Sequence, residues 1–321
     1  MKAVCYTRYG PPEVLQLREV EKPVPRFGEV LIKVHATSVT NSDCIMRRAE
    51  TPLSRLFLGL LRPRRPILGT EFAGVVEAVG KDVAKFKMGD NVYGFTGFRL
   101  GAYAEYVCLS QNGSLIEMPG NMDFQEAASI VDGSTTALSF LKDKAGIRKG
   151  QKALIIGASG SIGSAAVQVV KYFDAEVTAV CSSRSFDLVR SLGADRVIDY
   201  SKEDFSKNGE RYDIIFDTVK KSSFAECKAS LTDGGCYLTT DIRPKYYVQM
   251  LWTKLLGGKK VYCGMSIEKT DSLRTLNGLF ASGHFRPVID RHYRLEDIVE
   301  AHRYVESGQK KGNVAILVAM A

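Results

Sequence analysis

No stretch of this 321-residue chain approaches the roughly 18 consecutive apolar residues that a bilayer-spanning helix needs, so no segment is expected to cross a membrane. Histidine is scarce: His35, His284, His292 and His302 are the whole set of four, and none has a partner at metal-ligand spacing. No two of the seven cysteines (Cys5, Cys44, Cys108, Cys181, Cys227, Cys236, Cys263) form a Cys-x-x-Cys pair. The number is odd and the chain long, so reduced thiols in a cytoplasmic protein are the expectation, not a disulfide framework. The opening MKAVCYTRYG is too polar, and too soon broken by Gly10-Pro11-Pro12, to read as a signal peptide. No repeat or low-complexity tract is present.

What is there is ordinary for a globular protein: 45% hydrophobic, 9% aromatic and 25% charged residues, which excludes wholesale disorder, collagen and coiled coil. At roughly 100–200 residues per domain, two domains are expected. A chain of this length buries a large core without staples. The net charge is +8, and more than half of it sits in residues 47–65, where Arg47, Arg48, Arg55, Arg62, Arg64 and Arg65 face Glu50 alone. Elsewhere the signs are mixed, which argues against a nucleic-acid surface over the whole body.

The first third reads as β structure. Val30, Ile32, Val34 and Ala36 alternate with Leu31, Lys33 and His35, the pattern of a half-buried strand. Further short runs at 72–79, 91–95 and 104–109 are separated by Gly, Pro and Asp, which suggests a barrel-like all-β unit. From about residue 123 the texture changes. Apolar runs at 152–156, 176–180, 196–198, 213–216, 235–238 and 260–263 alternate with helical spacing at 162–173 and 186–192. Such alternation means βαβ units and a parallel sheet. A helix at 295–305 and a strand at 314–318 end the series.

Between the run 152–156 and the helix after it stands Gly157-Ala158-Ser159-Gly160-Ser161-Ile162-Gly163. Glycines at this spacing permit a tight turn, close approach of backbone to a pyrophosphate, and close helix–strand packing. The following helix then offers unpaired N–H groups and a positive dipole end to phosphate. A plain tight turn is the alternative. An NAD site usually places Asp or Glu about 20 residues further on, against the ribose hydroxyls. Here Cys181 stands 24 residues after Gly157, followed by Ser182-Ser183-Arg184. A carboxylate repels a 2′-phosphate, whereas two hydroxyls and a guanidinium bind one, so NADPH is expected over NADH. An exposed polar turn is again the alternative. Tyr200, after the next strand, packs on the adenine or meets the phosphate if it is not a mere surface residue.

Gly150-Gln151, Leu154, Ala158-Ser159-Gly160, Gly163, Gln168 and Lys171 resemble the signature of the quinone oxidoreductase and zeta-crystallin branch of the medium-chain dehydrogenase/reductase family. Ser161 departs from it, standing where the signature has a second glycine. The resemblance extends through Gly69-Thr70-Glu71-Phe72-Ala73-Gly74, Gly89-Asp90, Gly101-Ala102-Tyr103-Ala104-Glu105-Tyr106 and Pro287-Val288-Ile289-Asp290. It implies an α/β chain: a GroES-like β-barrel catalytic domain over 1–122, completed by 266–321, and a Rossmann domain with a doubly wound parallel sheet over 123–265. The active site is implied in the cleft between them. Members of the family are commonly dimers or tetramers, often joined through the Rossmann sheets; a homodimer is expected here, and 260–263 would be the matching edge strand.

Zinc-dependent relatives read Gly-His-Glu where this chain reads Gly69-Thr70-Glu71; their first cysteine ligand falls near Thr40, and a third ligand aligns with Asp132. Threonine is a poor replacement for imidazole, and one carboxylate does not hold the ion, so a zinc-free enzyme is expected. Without a Lewis acid an isolated alkoxide has no strong stabiliser. A quinone or an α,β-unsaturated carbonyl (enone or alkenal) spreads its own negative charge as hydride arrives. The protein then has mainly to position the two reactants, exclude water and supply hydrogen bonds.

The resemblance places Thr136, with Thr135 beside it, against the nicotinamide, or else as a helix-start hydroxyl. It also places Thr239, Thr240, Cys263 and Gly264 at strand ends near that ring, and Asn313 on a tail that reaches the cofactor. Asp217, at the carboxyl edge of the sheet, is a further cofactor candidate. Thr40 stands near the family's substrate-pocket asparagine, with Asp43 three residues on; Ile45 stands where some quinone reductases carry tyrosine, which leaves the proton donor open. Asp132 is either a helix N-cap or, if buried, an acid with a raised pKa able to give a proton.

Residues 52–66 form an apolar and basic insert, readable as a packed surface helix, a lid over a greasy substrate, or a contact with an anionic membrane. The function expected is a zinc-independent NADPH oxidoreductase acting on a quinone or a conjugated carbonyl. An enoyl-thioester reductase is the rival within the class. A non-catalytic NADPH-binding or RNA-binding protein is the rival outside it, supported only by the arginine-rich stretch, where aromatics for base stacking are scarce.

Overall fold

The computed structural model describes residues 1–50 and 52–318, the side chains at 52 and 53 excepted. The chain divides into two compact units: Met1–Asp132 with Glu268–Ala281 and Pro287–Ala321, and Gly133–Ile267 with Ser282–Arg286. The last three residues of the expected returning segment lie outside the described residues.

The first unit is built on strands β1 (Lys2–Cys5), β2 (Gln16–Glu19), β3 (Glu29–Ser38), β4 (Glu71–Val79), β5 (Asn91–Phe95), β6 (Tyr106–Ser110) and β7 (Ser114–Glu117). Its helices are α1 (Asn41–Arg48), α2 (Pro52–Leu58) and α3 (Phe124–Ser129). Strand β3 is the hub. It pairs antiparallel with β4 on one side and, on the other, with β6 and with the late strand Asn313–Leu317. Helix α3 packs against β3 and β4 as well. With its edges paired and a helix on its face, β3 is more deeply buried than its alternation suggests: Leu31 is core, not surface. The same packing carries the first unit past the expected boundary at 122. Phe124 stacks on His35 at 4.5 Å, which ties α3 to β3.

The second unit begins in α4 (Asp132–Leu138) and continues with β8 (Lys152–Ile156), α5 (Ser161–Tyr172), β9 (Glu176–Cys181), α6 (Phe186–Ser191) and β10 (Arg196–Asp199). It goes on through β11 (Tyr212–Asp217), α7 (Phe224–Cys227), β12 (Leu231–Thr239), α8 (Pro244–Leu256) and β13 (Lys260–Cys263). The six strands are all parallel, in the order β10-β9-β8-β11-β12-β13. This is the doubly wound order 3-2-1-4-5-6, whose direction reverses between β8 and β11. The strands read as continuous apolar runs because helices cover a parallel sheet on both faces. Leu154, Ile215, Tyr237 and Val261 form its core with Val180 and Ile198.

Back in the first unit, α9 (Thr270–Ala281), β14 (Ile289–Arg294), α10 (Ile298–Glu306) and β15 (Asn313–Leu317) complete the chain. A short 3-10 turn takes Leu295–Asp297, so the tail helix starts three residues later than its spacing suggests. Among the described residues, no helix is long and apolar enough to cross a membrane.

Candidate functional site

In the second unit, β8 ends in the glycine turn and α5 begins at Ser161, with Gly160 as its N-cap residue. Gly157 has φ +80°, and a Cβ there would lie 2.4 Å from the Val219 side chain. A Cβ on Gly163 would lie 2.1 Å from the Gly157 carbonyl oxygen, so that glycine lets helix and turn meet. Gly160 differs: a Cβ there meets nothing nearer than 3.5 Å. Its requirement is therefore not packing within the protein, and the open face lies where the first-turn N–H groups of α5 lack intrahelical acceptors. That is the room and the polarity a pyrophosphate needs. Ser161, the departure from the signature, lies against Gly133, where a Cβ would sit 2.1 Å from its Oγ. Ser159 and Ile162 belong to the same turn and first helical turn.

Strand β9 runs beside β8, with Val180 opposite Ile156. Ser182 follows it and opens a short turn, Ser183–Ser185, in which Ser183 and Arg184 are exposed. Tyr200, after β10, is exposed too. Asp199 is the carboxylate nearest in the sheet register, opposite Cys181. It accepts from the N–H and Oγ of Ser201, bonds that hold it below the ordinary carboxylate range.

Asp217 is bonded within its own loop. It is fully buried, and its two oxygens accept from the N–H groups of Val219, Lys221 and Ser222 and from the Tyr237 hydroxyl. It is consumed in shaping the loop after β11, which in turn presses Val219 against Gly157. Thr136 and Thr135 are buried in α4. Thr239 is buried and accepts from the Asp241 N–H, while Thr240 is half-buried. The Cys263 carbonyl accepts from Lys144 Nζ at 3.1 Å.

In the first unit, Thr40 is the N-cap of α1 and forms a capping box with Asp43. Its Oγ1 accepts from the Asp43 N–H and donates to Asp43 Oδ2 at 2.6 Å. The Thr70 hydroxyl also turns to Asp43, at 3.4 Å from Oδ1. Asp132 Oδ1 lies 2.9 Å from Nζ of Lys269, a fully buried lysine whose ammonium also sits 4.7 Å from the Phe95 ring centroid. Asp132 is thus the first residue of α4 and an ion-pair partner, in place of the N-cap or buried acid its sequence setting suggests. Buried Glu71 accepts from the Ser38 hydroxyl and from the Asp132 N–H. Burial first, and the Asp132 charge second, push its carboxyl well above the ordinary range. Burial also brings Lys310 down to about 8, although the charges of Glu71 and Asp290 oppose the shift. In the same unit Asn313 opens β15, its side chain donating to the Val288 carbonyl.

These contacts bear on the metal question through donor chemistry. Of the three ligand positions, two are hydroxyls bonded to one aspartate and the third is a carboxylate bonded to an ammonium. The described residues contain no group of three or more His, Cys, Asp or Glu that would hold an ion. The histidines have other partners: His35 stacks on Phe124, His284 meets Ser282, His292 meets Gln125, and His302 Nδ1 lies 3.3 Å from Cys44 Sγ. Burial drives His302 down to about 3 and Cys44 up to about 12, so that pair is neutral packing and not a nucleophile. The residues present do not fit zinc. Lys269 and the half-buried Lys310 are the members of this cluster that sequence reasoning missed; no spacing marks a lysine as withdrawn from solvent.

Burial raises the Asp43 carboxyl from its ordinary 3.8 to about 6, against the Thr40 bonds that favour ionisation. Such a group contributes its full stability below pH 3.8, and the contribution is lost as pH rises through about 6. At about 1.4 kcal/mol per unit, up to about 3 kcal/mol is lost across that window. Asp43→Asn keeps the shape and cannot ionise. Its unfolding free energy in urea should lack the fall that the parent chain shows over this range, and parallel curves would contradict the assignment.

Residues 26–120 match the family described as alcohol dehydrogenase GroES-like domain, and residues 192–316 the family described as zinc-binding dehydrogenase. The chain is 32% identical over 336 residues to quinone oxidoreductase QR1, chloroplastic, of Triphysaria versicolor, covering 98% of both chains. It is 30% identical over 328 residues to 2-methylene-furan-3-one reductase of Solanum lycopersicum, covering 98% of this chain and 79% of that one. Among solved structures, the quinone oxidoreductase from Coxiella burnetii superposes with a TM-score of 0.90 at 28% identity, covering 99% of each chain.

Proposed function

The chain belongs to the medium-chain dehydrogenase/reductase family, in its zeta-crystallin-like quinone oxidoreductase branch, and is an oxidoreductase with an NAD(P)-binding dehydrogenase fold; from that premise we propose that it is a zinc-independent NADPH reductase of quinones or α,β-unsaturated carbonyls. The observation that carries this reading is the occupation of the metal positions, where Thr40 and Thr70 bond Asp43 and Asp132 bonds Lys269. A donor set of that kind offers no Lewis acid to an alkoxide, which favours acceptors that delocalise their own charge.

NADPH, when bound, supplies the hydride. Ser182, Ser183 and Arg184 receive the 2′-phosphate, Gly160 and the first turn of α5 receive the pyrophosphate, and Tyr200 covers the adenine. Thr136, Thr240 and Cys263 flank the nicotinamide. Thr40 gives the acceptor its proton and is replenished by Asp43, whose carboxyl near 6 still carries a proton in part of its population at neutral pH. Asp132 holds Lys269 and takes no part in proton transfer.

The partner is a second copy of the chain. Strand β13 is the outermost strand of its sheet, and α8, packed on β13, leaves Val248, Leu251, Trp252, Leu255 and Leu256 exposed. Seven free thiols suit a reducing compartment, and we place the protein in the cytoplasm on that ground alone.

The test is an oxidation screen, NADPH against NADH, over ortho- and para-quinones, alkenals, cyclic enones and crotonyl thioester, with and without chelator. The expected result is a chelator-insensitive rate with quinones or enones and a preference for NADPH. Arg184→Ala should raise the KM for NADPH about tenfold or more and leave that for NADH unchanged, since charge-assisted hydrogen bonds are worth about 1.5–3 kcal/mol. A thioester-only rate, a rate that needs zinc, or an equal effect of the variant on both nucleotides defeats the corresponding part of the proposal.

A further inference from the structure

The arginine-rich stretch is not one surface. Arg47 is buried and ion-paired to Glu306, and Arg48 bonds Glu306 and Glu50, so these two are spent inside the first unit. What remains exposed is the end of α2 with the loop that follows it. Leu56, Phe57, Leu60 and Leu61 stand 55–94% exposed, and Arg62, Arg64 and Arg65 follow them at the surface. From residue 51 to residue 70 there is no acidic residue.

The loop is held from below. The Gly59 N–H donates to the Arg55 carbonyl and the Arg64 N–H to the Leu58 carbonyl, each at 2.8 Å. The Tyr9 hydroxyl donates to the Gly59 carbonyl at 2.7 Å, and Arg55 Nε donates to the Ala49 carbonyl at 3.0 Å. Gly59 has φ +126°, and a Cβ there would lie 2.1 Å from the Arg62 carbonyl oxygen, so the turn is tight and specific. The apolar tip is therefore displayed on a fixed base. A preformed tip loses little conformational freedom when it is buried.

We propose that this loop docks the protein on an anionic lipid bilayer, with the leucine and phenylalanine side chains entering the headgroup boundary and the three arginines meeting lipid phosphates and carboxylates. Charge complementarity selects this occupant. A second copy of the loop would bring guanidinium against guanidinium. A neutral substrate would account for the leucines and leave the arginines without a role. An interfacial segment has the combination seen here, large apolar residues beside basic ones with acids excluded. Docking would place a lipophilic acceptor within the protein's reach, yet binding is measured without turnover, so its failure and the failure of the reductase reading are separate results.

The experiment is flotation of the full chain with phosphatidylcholine vesicles and with vesicles containing about 30% phosphatidylserine, at physiological and at high salt, where surface charge is screened. The expected result is binding about tenfold or more stronger to the anionic vesicles, lost at high salt. The Arg62→Gln/Arg64→Gln/Arg65→Gln variant should lose the anionic preference, and Leu60→Ser/Leu61→Ser should weaken binding to the anionic vesicles at physiological salt. All the substituted residues are exposed, so thermal midpoints should hold. No vesicle binding at physiological salt overturns the proposal, as does binding by both variants equal to the parent's. A changed oligomeric state, or a raised KM for a soluble quinone, without any vesicle binding assigns the loop to a second copy or a substrate lid, and overturns it too.

Discussion

Replacing Lys269 with methionine should destabilise the first unit by about 3–5 kcal/mol, the range for removing one member of a buried ion pair. The side chain is fully buried, and its ammonium lies 2.9 Å from Asp132 Oδ1 and faces the Glu71 carboxyl. Methionine matches the volume, so the loss is one of charge and not of packing. With the ammonium gone, Asp132 and Glu71 confront each other close to Asp43, which burial already disfavours as an anion. The second variant decides the cause. Lys269→Met combined with Asp132→Asn removes both charges and should recover more than half of the loss, because neutral partners of the same shape leave no orphaned ion. Urea unfolding of the two variants and the parent gives the comparison. A loss below about 1 kcal/mol, or no recovery in the double variant, would mean that solvent reaches the pair and screens it.

How much of this was legible in the sequence varies from one residue to the next. The second unit was legible because a covered parallel sheet forces continuous apolar runs, and the runs at 152–156 and 260–263 coincide with β8 and β13. Strand β2 gave no signal, since all four of its residues are exposed and nothing alternates. The depth of β3 was missed for the opposite reason: a hub strand buries both faces, and alternation then understates it. The glycine turn could be read from local chemistry, because φ +80° at Gly157 and the close contact at Gly163 demand glycine. Asp217 shows the limit of such reading. Its place at the carboxyl edge of the sheet marks it as a ligand contact, yet its oxygens accept from three residues of its own loop, Val219, Lys221 and Ser222, and from Tyr237. Lys269 shows another limit. It lies 137 positions from Asp132 in the chain, so only the fold brings them together.

Gly160→Ala and Gly163→Val should separate two requirements that look alike in the sequence. At 163 the added carbon collides with backbone: the Gly157 oxygen at 2.1 Å and the Ala158 Cα at 2.7 Å. Neither atom belongs to a side chain that can swing away, so α5 must move off β8. The valine variant should therefore lose stability by about 1–3 kcal/mol, the cost of overpacking, and should lose NADPH affinity about 100-fold or more as the helix N-terminus leaves its position. At 160 the added methyl meets only the Gly157 oxygen at 3.5 Å, an ordinary contact, and φ is −79°, open to any residue. The alanine variant should keep the parent's thermal midpoint. Its methyl projects into the open face in front of α5, so NADPH affinity should still fall about tenfold or more if a pyrophosphate seats there. Calorimetric titration of NADPH into each variant, beside its melting curve, reads both quantities. An alanine variant that binds as the parent does would move the pyrophosphate away from Gly160, and the assignment of this turn to the nucleotide would have to be abandoned.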